Sequence, residues 1–208
     1  MKGRGRRGEI ADAAQLGMAV VPIVGPVVSQ ALALFESQRR NVEVDAFLAA
    51  LAARLGSVEE GRFDQDFVNG ADFQAATLRS LDAARFTIRD EKRQLIAAVL
   101  AGAATKDRPS GLDIEAIVDT LAGLTASDLA LARLLWIEAG SGAPLAIVTS
   151  VIGPTDYPDL KFHLKRLEAY GLIADTAGQY FDYGGQYELT PTFHRLMALA
   201  EAGGLKLG

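Results

Sequence analysis

Apolar residues recur at helical spacing through most of the chain, and the runs break at glycine, proline or short polar stretches. In 158–173, Leu160, Leu164 and Leu167 stand at i, i+4 and i+7 and make one apolar stripe. Gly171 follows that stripe, where a helix commonly ends in a left-handed residue. Leu172-Ile173 then begins an apolar strand. Two short aromatic strands, 179–183 and 186–189, flank Gly184-Gly185, which is a hairpin signal. Thr190 before Pro191 reads as an N-cap and a proline at the first helical position. Upstream, Thr125-x-x-Asp128 is a capping-type start for a helix over 126–139. A turn over 140–143 and a short apolar helix over 144–152 follow. Helix, turn, helix, helix, two-strand wing and helix is the order of a winged helix-turn-helix.

The first half reads as helices throughout. Residues 13–35 hold no charge over 23 positions. That length spans a bilayer, and the basic residues ahead of it have the sense of a cytoplasmic anchor. Against spanning stand Gln15, Ser29, Gln30 and the two prolines Pro22 and Pro26, each of which costs a helix interior about 3 kcal/mol. Glu9 and Asp12 also spoil the basic flank. Buried core helices are the preferred reading, membrane insertion the second and a cleaved signal the third. The segment residues concerned are Val20, Val21, Ile23, Val27, Val28 and Leu32. From Pro26 to Leu55 the pattern is roughly helical and Gly56 ends it. Phe63, Phe67 and Val68 read as a further amphipathic helix, with Asp64 and Asp66 on its wet face. Phe73, Leu78, Leu81 and Phe86 form the next stripe. Asp90 caps a helix that carries Leu95, Ile96, Val99 and Leu100, and 112–121 is a short helix. Residues 9–123 are therefore expected to form a bundle of four to six helices.

The 208 residues hold 50% hydrophobic residues and 7 prolines, which fits a globular chain. Cysteine is absent, so disulfides and thiol nucleophiles are excluded. With 2 histidines, His163 and His194, a histidine-rich metal site is excluded too. The net charge of −5 is uneven. Lys2, Arg4, Arg6 and Arg7 lie in the first eight residues, read as a flexible basic tail (1–8). The rest holds 17 basic and 26 acidic residues, a net of −9. Such a body repels nucleic acid and anionic lipid at long range, so either contact needs a local basic patch. All five tyrosines, the one Trp and both histidines lie beyond residue 124. That shift puts a domain boundary near Leu124. The expected fold is mainly α, with a helical bundle over 9–123 and a winged-helix-like domain with a small β-hairpin wing over 124–208.

The residues Leu164-x-x-Leu167-Glu168-x-x-Gly171-Leu172-Ile173 and Tyr187-x-Leu189-Thr190 resemble the winged-helix domains of MarR- and PadR-type regulators. In those the second motif continues to a glycine where Phe193 stands here. The whole layout is similar to bacterial abortive-infection alpha type proteins, through Glu91-Lys92-Arg93-x-Leu95-Ile96 and the Leu124-Thr125 start of the last module. That resemblance implies a role in bacterial defence or stress, possible at the membrane.

A winged helix on DNA puts one helix in the major groove and basic residues near phosphate. Lys161, His163, Lys165 and Arg166 are the candidates for that contact. Against it, 126–204 holds five basic and nine acidic residues, a net of −4, and the hairpin holds Asp182 and no Lys or Arg. The alternative for the cations is a solvated helix face. Tyr180, Phe181, Tyr183 and Tyr187 suit a protein contact, since aromatics are enriched at interfaces. No phosphate cradle, nucleophile elbow or zinc-helix motif occurs in the sequence. The chain is thus expected to be a non-enzymatic bacterial interaction or effector protein, without metal, cofactor or small-molecule substrate. Its expected partner is another protein or a second copy, with nucleic acid and, through 13–35, membrane as the alternatives. Its expected location is cytoplasmic, with membrane association as the variant.

Overall fold

The computed structural model describes residues 42–140, 157–175 and 187–206. They are mainly helical, with one small antiparallel sheet towards the C-terminus. In order the elements are α1 (Val42–Ser57), a 3-10 turn (Glu60–Arg62), α2 (Gln65–Val68), α3 (Ala71–Arg85) and α4 (Asp90–Ala103). Then come α5 (Ile114–Gly123), α6 (Ala126–Gly140), α7 (Tyr157–Ala169), β1 (Ile173–Asp175), β2 (Tyr187–Leu189) and α8 (Pro191–Ala202). The chain divides into two compact units. Among the described residues one runs to Ala122 and includes Ala198–Lys206, and the other runs from Gly123 to Met197.

In the first unit α1, α3 and α4 pack on one another. Phe47, Leu51, Phe73, Leu81, Ile96 and Leu100 fill the space between them and are almost entirely buried. Burying a side chain of that size stabilises by about 1.5–3 kcal/mol. The end of α4 is buried on all sides because it meets α8 through glycine. A Cβ on Gly102 would stand 2.0 Å from the Leu199 carbonyl oxygen, and one on Gly203 would stand 1.9 Å from that of Ala98. Only glycine permits that approach of two backbones. It also explains why Ala198–Lys206 belongs with the first unit, although the sequence kept 124–208 together. Arg54 adds a hydrogen bond from Nη1 to the Gly203 carbonyl at 3.0 Å.

Five local expectations in this unit change. Phe63 is not helical: it forms an isolated bridge with Thr105, and α2 is a single short turn beyond it. Asp64 is the cap of that turn, accepting from the Phe67 N–H at 3.2 Å and pairing with Arg108, so it is not part of a wet face. The Arg108 hydrogen bond is the largest reason that its carboxyl is held below the usual carboxylate range. Phe86 follows α3 and is exposed, outside the stripe of Phe73 and Leu81. At α4 the cap position is Arg89 and not Asp90. At α5 the Asp113 carboxylate accepts from the Ala116 N–H at 3.0 Å and sets a start two residues later than expected.

In the second unit α6 packs on α7, and α7 on β1. Leu160, Leu164 and Leu167 are buried as one stripe, against a core that includes Leu131, Leu135, Leu172, Phe193 and Leu196. Gly171 ends α7 with φ +67°, the left-handed value its place after the stripe called for. The Leu172 N–H donates to the Leu167 carbonyl at 2.9 Å and the Gly171 N–H to that of Glu168 at 2.8 Å. This is a complete Schellman motif, and it turns the chain directly into β1. β1 and β2 pair antiparallel, with Ile173 opposite Leu189, Ala174 opposite Glu188 and Asp175 opposite Tyr187. Thr190 caps α8 as expected, its hydroxyl accepting from the Phe193 N–H at 3.2 Å and donating to the Gly171 carbonyl at 2.6 Å. The expected helix over 144–152, the hairpin tip, the tail 1–8 and the stretch 13–35 lie outside the described residues. Among the described residues no single helix is long and apolar enough to cross a membrane.

Candidate functional site

The most concentrated chemistry in the second unit gathers on one carboxylate. Thr125 is the N-cap of α6 and Asp128 stands three residues on, so the two form a reciprocal capping box. The Asp128 N–H donates to Thr125 Oγ1 at 3.2 Å, and Asp128 Oδ2 accepts from the Thr125 N–H at 2.6 Å. The Thr125 hydroxyl gives its own proton to the same oxygen at 2.7 Å. An ordinary cap would face water. This one does not, because Leu131, Ala132 and Leu135 carry the same face of α6 into the core, and the Asp128 side chain is fully buried.

Two side chains of α7 complete the carboxylate. Arg166 donates from Nε to Oδ2 at 3.0 Å, and His163 Nδ1 lies 2.7 Å from Oδ1. They stand three apart beside the buried leucine stripe, so one face of α7 presents both. Arg166 also donates from Nη2 to the Gly123 carbonyl at 2.6 Å, just ahead of the cap. Burial pushes the Asp128 carboxyl up. The Thr125 N–H, His163, the Thr125 hydroxyl and the Arg166 charge pull it down, and the net result lies below the ordinary carboxylate value. Asp128 is therefore ionised at neutral pH and only accepts, which assigns the proton on Nδ1 of His163.

The remaining cation of this face is also engaged. Lys165 donates to Glu168 at 2.6 Å and lies 3.8 Å from Asp175 on β1. The Glu168 hydrogen bond is the largest cause that raises its pKa above the ordinary lysine value. Lys161 is exposed one turn earlier. The four sequence candidates thus share a helix but not an environment. His163 and Arg166 are turned to an internal acid, Lys165 is spanned by two surface acids, and Lys161 faces water. Phe162, between them, is exposed; its ring lies edge-on to His163 at 5.5 Å, with the Arg166 guanidinium 5.7 Å from its centroid.

Of the aromatic candidates, Tyr180, Phe181 and Tyr183 lie outside the described residues. Tyr187 is buried in its own unit, because its place opposite Asp175 turns the ring inward, and it is not an exposed contact residue. Val20, Val21, Ile23, Val27, Val28 and Leu32 lie outside the described residues as well. His194 meets Trp136 edge-on at 5.3 Å, whereas His163 meets Asp128, so the two histidines serve different contacts. An Asp–His pair can orient an imidazole as a base, but that needs a nucleophile or substrate on the other ring nitrogen. Among the described residues none is bonded there, and no group of three metal-ligating side chains occurs. What the arrangement does is fix α6 to α7 and turn Arg166 and His163 to an internal acid. Sequence reading missed Asp128 in this role. The available signal was its spacing, three and four residues ahead of Leu131 and Ala132, which puts an acid on an apolar face.

No protein-family model, curated protein or solved structure matches the chain.

Proposed function

We propose that the chain is a non-enzymatic interaction protein, and that its second unit is a winged-helix module used for protein contact. The order α6, α7, β1, β2, α8, with β1 and β2 antiparallel, supports the winged-helix reading. One observation carries the choice of protein over DNA. The cations of α7 that would meet phosphate are neutralised by acids of their own unit, Arg166 by Asp128 and Lys165 by Glu168 and Asp175, and the His163 ring is turned to Asp128 as well. Affinity for a duplex comes mainly from cations that displace counterions, and a cation held by a buried carboxylate displaces none. The exposed ring of Phe162 sits in their midst and suits a protein surface. The setting in bacterial defence rests on the abortive-infection resemblance alone.

A photo-cross-linking residue at Phe162, in the full chain expressed in a bacterium, tests this. A protein adduct, either with another protein or with a second copy, is the expected result. A nucleic-acid adduct, or none, overturns it. The runner-up, a DNA-binding regulator, draws on the same element order and on exposed Lys161. It requires duplex affinity that falls steeply between about 50 and 200 mM salt and vanishes on charge reversal of Lys161, Lys165 and Arg166.

A further inference from the structure

The junction between α2 and α3 is Asn69-Gly70, with Asn69 exposed just past α2 and Gly70 just ahead of α3. Asparagine is a thermolabile residue, and ahead of glycine it reacts with its own backbone. The Gly70 nitrogen, as its amide anion, attacks Cγ of Asn69. The N–Cγ bond forms, the bond from Cγ to the side-chain nitrogen breaks, and that nitrogen leaves as ammonia. Water then opens the five-membered imide at either carbonyl and leaves aspartate or an isoaspartyl link at position 69. Glycine favours the attack because no side chain shields its nitrogen. The chain's other asparagine, Asn41, precedes Val42, whose branched Cβ does shield it. At position 70 glycine is called for by closeness, since a Cβ there would stand 3.1 Å from the Phe67 carbonyl oxygen. The tight turn that needs glycine therefore also creates the reactive pair.

The folded junction holds the reacting atoms apart. Ring closure needs the Gly70 nitrogen in line with Cβ of Asn69 about the Cα–C bond. At ψ −3° the two stand about 120° apart, the spacing of substituents on a tetrahedral carbon. Turning ψ that far at φ −84° enters a sparsely populated region and carries the start of α3 with it. The Gly70 N–H is engaged as well, donating to the Phe67 carbonyl at 2.9 Å. Side chains clamp the turn from both helices. The Phe67 ring of α2 meets the buried Phe73 ring of α3 edge-on at 5.7 Å. The Arg108 guanidinium lies 3.8 Å from the Phe67 ring centroid and pairs with Asp64, the cap of α2.

We propose that Asn69-Gly70 is a self-modification site gated by this clamp. It reacts only when α2 opens. The isoaspartyl product has one more main-chain atom between residues 69 and 70, so the turn closed by the Gly70 N–H does not reform as it was. The site thus turns a passing opening of α2 into a lasting one. This proposal stands on the first unit and is independent of the contact proposed for Phe162.

The test incubates the full chain at mildly alkaline pH, folded or in urea, and follows Asn69 by peptide mapping with mass spectrometry. Opening is fast beside this chemistry, so the folded rate is the unfolded rate times the open fraction. Conversion at Asn69 should be about tenfold or more slower in the folded chain than in urea, and in urea Asn41 should convert more slowly than Asn69. Asp64→Ala removes the cap and the partner of Arg108, and should raise the folded rate about fivefold with the helical circular dichroism kept. Asp64→Ser keeps a capping oxygen and should raise it less; it carries the comparison if the alanine variant loses its helical signal. Any of four results overturns the proposal. Asn69 does not convert in urea, or it converts as fast in the folded chain. The folded rate is unchanged in the folded Asp64 variants. Or the isoaspartyl chain exchanges the amides of α2 no faster than the starting chain.

Discussion

Replacing Asp128 is the sharpest test of the second unit. Its carboxylate accepts four hydrogen bonds, from the Thr125 N–H, the Thr125 hydroxyl, His163 and Arg166. In Asp128→Ala the Thr125 N–H loses its partner at the start of α6, and a lost cap box costs about 0.5–2 kcal/mol. Hydrogen bonds to a charged group contribute about 1.5–3 kcal/mol each when buried. The side chains of His163 and Arg166 are 23% and 30% exposed, and Arg166 keeps the Gly123 carbonyl, so water recovers part of that loss. The terms share one acceptor and do not add. A loss of about 3 kcal/mol is expected, and about half as much for Asp128→Asn, which keeps one acceptor oxygen. The assay is urea unfolding followed by Trp136, the chain's only tryptophan, which lies against Phe193 and His194 in the same unit. At a slope of about 1.5 kcal/mol per molar the midpoint falls by about 2 M. The pH dependence gives a second reading. A carboxyl whose folded pKa is depressed stabilises above its unfolded pKa, about 3.9 for aspartate. That contribution is lost as pH falls from there through the lower folded pKa. The difference between wild type and Asp128→Asn should therefore be constant from neutral pH down to about pH 4 and shrink below it. A loss under about 0.5 kcal/mol, or a difference unchanged through the acid range, refutes the claim that Asp128 is a buried ionised acceptor.

Four further outcomes follow from the same geometry. Gly203→Ala forces a Cβ to within 1.9 Å of the Ala98 carbonyl oxygen, a backbone atom, and should cost about 3 kcal/mol or more in thermal unfolding of the first unit. Gly123→Ala meets the Tyr170 hydroxyl at 2.0 Å, but that is the end of a half-exposed side chain that can swing away, so the cost should stay under about 1 kcal/mol. Gly171→Ala places a Cβ in the left-handed region at φ +67° and should cost about 1–2 kcal/mol, read by the same Trp136 signal. Arg93→Lys keeps the charge but replaces the planar fork with one ammonium group. It should therefore loosen the turn between α3 and α4, visible as faster amide hydrogen exchange at Ile88 to Glu91 while the core of α1 stays protected.

The parts of the fold that were legible in the sequence are those set within a few residues of themselves. The Thr125–Asp128 box, the left-handed Gly171 and the Thr190-Pro191 start each need only one turn of chain, and each stands where the spacing put it. The illegible parts depend on a residue far away. Asp64 looked like a wet-face acid because nothing local reveals Arg108, and Phe63 looked helical because nothing local reveals Thr105. Asp128 was legible as a cap and not as an ion-pair centre, since His163 and Arg166 lie 35 and 38 residues away. Two distant contacts did leave a trace. Arg93 shares the helical face of Ile96, Ala97 and Leu100, where a charge requires a buried partner. Gly102 interrupts a helix of good formers, a cost accepted in a helix interior only where something must come close.

The capping box and the pairing of the α7 cations have one physical cause. A helix start needs an acceptor for its first N–H groups, and an aspartate three residues past a threonine supplies one at modest cost when it faces water. Here the apolar run Leu131, Ala132, Leu135 carries that aspartate inward, where an unpaired charge is far too costly to bury. The acid must then draw partners from a neighbouring element, and α7 supplies the Arg166 cation and an N–H of His163. Every cation spent in this way is lost to a phosphate outside. A unit with five basic and eight acidic residues has few to spare, and Lys165 is held as well, between Glu168 and Asp175. The polarity of α7 is thus set by the demands of the neighbouring helix start. Beside the paired Lys165, α7 leaves exposed the uncharged ring of Phe162 and the opposite charges of Asp159 and Lys161.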